Sequence, residues 1–116
     1  MKNLSDINVI KSVMGRHGVT FNKGLGQNFL IDPNVCPDMA DNADLDENTC
    51  AVEIGPGVGV LTAELAKRAG KVLSFELDDR LLPVLDETLA EFDNVEIVKI
   101  ADISLSCKYS LSAKLT

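Results

Sequence analysis

Three short apolar runs alternate with stretches of helical spacing through the middle of the chain. Residues 50–54 (CAVEI), 71–76 (KVLSFE) and 95–100 (VEIVKI) are too short for helices. They read as strands, the first of the kind buried on both faces. Between the first two, Val60 to Ala69 puts Leu61, Leu65 and Ala69 on one face, with Gly70 as the expected C-cap. Asp78 opens a second helix with Leu81, Leu82, Leu85 and Leu89 on its inner side, and Pro83 falls in its first turns, where proline is tolerated. The order β-α-β-α-β predicts parallel strands joined by right-handed crossovers.

The flanks are patterned differently. Ser5 is placed to cap a helix over Asp6 to Met14, with Ile7, Ile10 and Met14 on one face and Gly15 and Gly18 ending it. Residues 19–31 (VTFNKGLGQNFLI) are broken by glycine yet carry large apolar side chains. Loops are usually polar, so this stretch predicts a strap laid over a core or a ligand. Pro33 starts a second helix that runs to about Ala43, followed by the acidic link 44–48. Residues 103–116 alternate strictly between apolar and polar, the period of an amphipathic edge strand.

Length and composition narrow the picture. A chain of 116 residues is one domain. Strand, helix and two loops take roughly 25–30 residues, so about four such units fit. A complete doubly wound nucleotide-binding domain has about six strands, so only part of one is expected. No apolar run is long enough to span a membrane, and Met1 to Val9 does not have the form of a signal peptide. The net charge of −7 is uneven: residues 1–35 carry +2, residues 36–102 carry −11 and residues 103–116 carry +2. An acidic body disfavours a nucleic-acid backbone and suits a cationic small ligand or a plain solvated surface. Cys36, Cys50 and Cys107 are odd in number and widely spaced. They read as buried thiols in a reducing cytosol rather than as metal ligands or disulfides.

The chemistry gathers at the strand ends. Gly55-Pro56-Gly57-Val58-Gly59 joins the first strand to a helix. Glycines there permit a tight turn and close approach of a ligand, and a helix N-terminus offers free N–H donors to an anion. Glu76 ends the second strand, 19 residues after Gly57, where an acid accepts both hydroxyls of a ribose; the alternative is a capping acid near Asp78. Asp102 ends the third strand, placed for the amine of an adenine or as an ordinary turn aspartate. Position 60 is Val60, whereas the dinucleotide fingerprint wants a glycine. Glu53, two residues before the first glycine, would repel a pyrophosphate and suit an ammonium or sulfonium. These features favour S-adenosyl-L-methionine over NAD, with an NAD-binding Rossmann fragment as the alternative.

Three segments together resemble a known family. The run 24–32 (GLGQNFLID), then 52–59 (VEIGPGVG), then 75–78 (FELD) is similar to the rRNA adenine N6,N6-dimethyltransferases, over roughly residues 5–102. The resemblance implies a partial Rossmann-like class I SAM-dependent methyltransferase fold, α/β, with strand order 3-2-1 and an N-terminal helical strap. It divides the chain into helices and strap (1–48), a cofactor-binding core (49–102) and an atypical tail (103–116). It implies that Gln27, Asn28 and Leu30 close over the cofactor. Gly55 would lie under its methionine portion with Gly57 and Glu53 beside it, Glu76 would hold the ribose and Asp102 the adenine. It also implies methyl transfer to adenines of small-subunit rRNA, alone or in a pre-ribosomal 30S particle, in the cytoplasm, with no metal and no membrane. The family's catalytic Asn-x-Pro-Tyr run is absent from these 116 residues. The expectation is therefore a chain inactive alone, or a non-catalytic cofactor-binding fragment. The family's fourth strand lies beside the first, and the alternating tail is the expected cover for that edge.

Overall fold

The strand over residues 50–54 is not buried on both faces as its apolar run predicts: Ala51 and Glu53 are buried, Cys50 and Val52 are half-buried and Ile54 is exposed. The computed structural model describes residues 3–4, 6–20, 32–100 and, as a short strand, 114–115. The elements are α1 (Ile7–Arg16), α2 (Val35–Asn42), β1 (Cys50–Ile54), α3 (Val60–Arg68), β2 (Lys71–Glu76), a 3₁₀ turn (Asp79–Leu81), α4 (Leu82–Thr88), β3 (Val95–Lys99) and β4 (Lys114–Leu115).

The sheet order is β3-β2-β1-β4. β1 and β2 pair in parallel, Cys50 opposite Lys71 through Ile54 opposite Phe75, and β2 and β3 pair in parallel, Val72 opposite Val95 through Glu76 opposite Lys99. The expected 3-2-1 order is present. The tail adds β4, antiparallel to the start of β1, with Leu115 opposite Cys50 and Lys114 opposite Ala51. The rest of the tail lies outside the described residues.

Two apolar clusters hold the layers. One joins Leu4, Ile10, Val13 and Met14 of the N-terminal region to Val58, Ala63, Val84 and Leu85. The other packs Ala40 of α2 and Ala51 of β1 against Leu65, Ala66 and Val72. The first cluster fastens α1 to the βα core, and Arg16 and His17 at its end both reach Glu87 on α4, His17 Nε2 lying 2.9 Å from Oε1. These exposed pairs add little stability beside the apolar contacts.

Several helix ends differ from expectation. Ser5 lies outside the described residues, and Asp6 caps α1 by accepting from the Asn8 N–H at 2.9 Å. The helix continues through Gly15 to Arg16, and Gly18, at φ 69°, is the glycine that turns the chain out of it. Pro33 sits in the turn before α2 rather than inside it. Asp78 caps the 3₁₀ turn, accepting from the Arg80 N–H at 3.0 Å, and Pro83 then enters at the first turn of α4.

Gly70 is not a cap. Ala69 ends α3 in extended backbone, and the Asn94 amide donates to the carbonyls of Ala66 at 2.9 Å and Ala69 at 3.1 Å, satisfying the helix end from outside. Gly70 is needed for space instead: a Cβ there would stand 2.1 Å from the Glu47 carbonyl oxygen. The acidic link is folded against this junction, since the Gly70 N–H donates to the carbonyls of Asp46 and Thr49. Gly70→Ala should therefore destabilise the fold by about 2 kcal/mol or more. Urea unfolding checks this, and an unchanged midpoint would contradict the close approach.

Candidate functional site

The parallel sheet directs the C-terminal ends of β1 and β2 to one side, and the chain leaves β1 through its glycine loop. The Gly55 N–H donates to the Phe75 carbonyl at 2.9 Å, so the loop begins against the end of β2. Gly55, Gly57 and Gly59 all adopt positive φ, at 75°, 60° and 94°. Side-chain-bearing residues rarely adopt this backbone. A Cβ on Gly55 or Gly57 would meet nothing within 4 Å, which leaves that backbone open to a ligand. A Cβ on Gly59 would stand 2.9 Å from Thr88 Oγ1, so this third glycine serves the packing of α3 on α4.

Above the loop lies a cleft of ≈ 490 Å³, within the usual range for small-molecule sites. Its wall includes Met14, Cys36, Glu53, Gly55, Gly57 and Arg80. α1, α2, the glycine loop and the 3₁₀ turn thus each contribute one side.

Glu53 is the charged group at the root of the loop, 9% exposed. Its Oε1 accepts from Thr62 Oγ1 at 2.6 Å and from Ser74 Oγ at 2.8 Å. Burial pushes its carboxyl above the usual range, and the two hydroxyls offset only part of that rise. Burial likewise raises the Cys36 thiol, with the Glu53 and Glu64 charges adding to it.

Glu76 stands at the end of β2, 5% exposed, and its Oε2 accepts from the Leu77 N–H at 3.2 Å. Its carboxyl is raised first by burial and also by the charges of Asp78 and Glu53. Since Asp78 is the capping acid, Glu76 is free of that role. Glu76 is not part of the cleft wall as the described residues define it. The structure therefore brings Glu53, Gly55 and Gly57 together around one cleft, with Glu76 on the adjacent strand end. Gln27, Asn28, Leu30 and Asp102 lie outside the described residues.

Thr62 and Ser74 were not singled out in the sequence. A signal existed: Ser74 interrupts an apolar strand two residues before Glu76, as Glu53 stands two residues before Gly55. The parallel register places the two opposite each other.

A carboxyl with a raised folded-state pKa favours folding most when protonated, so its contribution is lost as pH rises above the usual 4.5. Glu53→Gln keeps an Oε1 acceptor for both hydroxyls and does not titrate. Its stability relative to the unsubstituted chain should be greater at pH 7.5 than at pH 4. Chemical unfolding at the two pH values checks this, and a difference independent of pH would contradict it.

The family model for ribosomal RNA adenine dimethylases matches residues 18–112. The ribosomal RNA small subunit methyltransferase A of Streptococcus pyogenes serotype M5 (strain Manfredo) is 50% identical over 95 residues, covering 82% of this chain and 33% of that protein. The protein of the same name from serotype M4 (strain MGAS10750) is 50% identical over the same length, covering 32% of it. This chain spans about a third of the length of these curated relatives. Among solved structures, the 23S rRNA methyltransferase ErmE is 42% identical, with a TM-score of 0.55 over 58% of this chain and 28% of its own. A dimethyladenosine transferase from Plasmodium falciparum shares the fold, with a TM-score of 0.55 at 24% identity over 60% of this chain and 26% of its own. With the glycine loop, the parallel sheet and a match over most of its length, the chain belongs to the ribosomal RNA adenine dimethylase family.

Proposed function

We propose that the cleft beside the glycine loop binds S-adenosyl-L-methionine, and that these residues form the cofactor-binding part of an adenine N6,N6-dimethyltransferase of small-subunit rRNA. The observation that carries this reading is a buried carboxylate, Glu53, opening on a cleft whose floor is glycine backbone. A carboxylate so close to the loop would repel a pyrophosphate, whereas it attracts an ammonium or sulfonium. The open backbone at Gly55 and Gly57 and the ≈ 490 Å³ volume fit a nucleoside carrying an amino acid.

The roles follow from placement. Gly55 and Gly57 let the methionine portion approach the backbone, and Glu53 takes its ammonium. Glu76 takes the ribose hydroxyls and Asp102 the adenine amine. Gln27, Asn28 and Leu30 close the strap over them. When bound, the cofactor supplies an electrophilic methyl group to an amine aligned with it, and alignment is the main protein contribution. The target adenine must leave its stack to reach the methyl. The partner in this reading is small-subunit rRNA, free or in the pre-ribosomal 30S particle, which places the chain in the cytoplasm. The charge of −11 over residues 36–102 fits a cofactor site better than an RNA grip.

These 116 residues contain no Asn-x-Pro-Tyr run, and no residue of the chain is assigned a catalytic role. That favours a second reading alongside the first: the chain by itself binds the cofactor and transfers nothing. Isothermal calorimetry should show S-adenosylhomocysteine binding more tightly than NADH. Glu76→Ala should weaken that binding about tenfold or more, the loss of charge-assisted hydrogen bonds. No methyl transfer to small-subunit rRNA is expected from the chain alone. Absence of S-adenosylhomocysteine binding, or a preference for NADH, would contradict the proposal.

A further inference from the structure

Both hydroxyls at Glu53 bond the same oxygen. Thr62, in the first turn of α3, and Ser74, in the middle of β2, are each fully buried. Both donate to Oε1, at 2.6 and 2.8 Å, and among the described residues Oε2 has no hydrogen-bond partner. Glu53 lines the cleft, whereas neither Thr62 nor Ser74 does. The two hydroxyls thus approach from the protein interior and leave the second oxygen for whatever enters the cleft.

We infer that Thr62 and Ser74 are positioning residues that turn Glu53 Oε2 toward the cleft as an acceptor for a primary ammonium, and so set the preference for a nucleoside bearing an amino acid over the bare nucleoside. This rests on the function proposed above and adds to it the two residues on which ligand preference depends. An Oε1 that already accepts two hydrogen bonds leaves Oε2 as the site for a proton. A protonated Oε2 would present a donor to the ammonium, which has no acceptor. The hydroxyl donors favour the ionised form against the burial that opposes it. Removing either one raises the Glu53 carboxyl further and loosens its orientation.

The titratable and charged groups around it do not supply the same control. Glu76 on β2 is an acid whose own carboxyl is raised by burial and by the charges of Asp78 and Glu53, so neither Glu76 nor Asp78 can favour the ionised form of Glu53. Cys36 on α2 is a thiol kept neutral by burial and by the Glu53 charge itself. Arg80, also in the cleft wall, is paired to Asp78, its Nη2 2.7 Å from Oδ2. Among the described residues, the Thr62 and Ser74 hydroxyls are what remains to hold the carboxylate.

The test compares two ligands of the 116-residue chain by calorimetry: S-adenosylhomocysteine, and 5′-methylthioadenosine, which has the same nucleoside and no amino acid. Thr62→Val and Ser74→Ala should each weaken the first about tenfold, the value of a hydrogen bond to a charged group. The second should change less than about twofold, since the adenosine part does not touch Glu53 in this account. The midpoint for loss of S-adenosylhomocysteine binding on acidification should move to higher pH in both variants. Thr62→Ser keeps a hydroxyl and should restore the preference, which also covers a Ser74→Ala chain that fails to fold. Equal weakening of both ligands would reduce the hydroxyls to a structural role and overturn the inference, as would an unchanged ratio. If the unsubstituted chain binds neither ligand, the proposed function falls and takes the inference with it. If it binds both and the variants keep its ratio, only the inference falls.

Discussion

A carboxylate set inside a parallel sheet must find hydrogen-bond donors or give up its charge. Glu53 meets that constraint through Thr62 and Ser74, and much of the local architecture is what brings those hydroxyls to it. Ser74 arrives by strand register, opposite Glu53 in the β1–β2 pair. Thr62 arrives because α3 starts immediately beyond the glycine loop, so its first turn lies over the strand it has just left. A one-residue slip of β2 would send Ser74 to the other face and leave the acid unsupported. The sheet register and the helix start are thereby tied to the same group that opens on the cleft.

The glycines serve different ends. Gly55 and Gly57 combine left-handed backbone with open space, as a ligand-facing loop requires. Gly59 has the same backbone, but the space beside it is filled by Thr88, Leu85 and Leu89. It lets α3 and α4 close on one another beneath the loop. Gly70 relieves a clash with Glu47 at the far end of α3. Helix α3 is thus seated by a close approach at each end, and its N-terminus is fixed relative to the cleft.

The strands were legible because short apolar runs bounded by glycine or acidic turns leave few alternatives; β1 and β2 begin and end where the pattern places them. The glycine loop and Glu53 were legible from their position between a short apolar strand and a helix. Helix ends were less so, since they depend on partners remote in sequence. Asn94 satisfies the end of α3, and Glu47 explains Gly70, and neither is visible in local spacing. The Thr62–Glu53–Ser74 group joins residues 9 and 21 positions apart, a grouping that strand register and the crossover create together. The tail's alternating period predicted an edge strand, and its described residues pair with β1 over Cys50 and Ala51.

The proposed role of Glu53 is that of a buried carboxylate that receives the ammonium of the cofactor. The most direct measurement is a crystal structure of the chain with S-adenosylhomocysteine. The account predicts the ligand's ammonium within about 3 Å of Glu53 Oε2, its carboxylate at the glycine loop and its ribose at Glu76. A ligand bound elsewhere, or bound in the cleft with its ammonium turned away from Glu53, would contradict it.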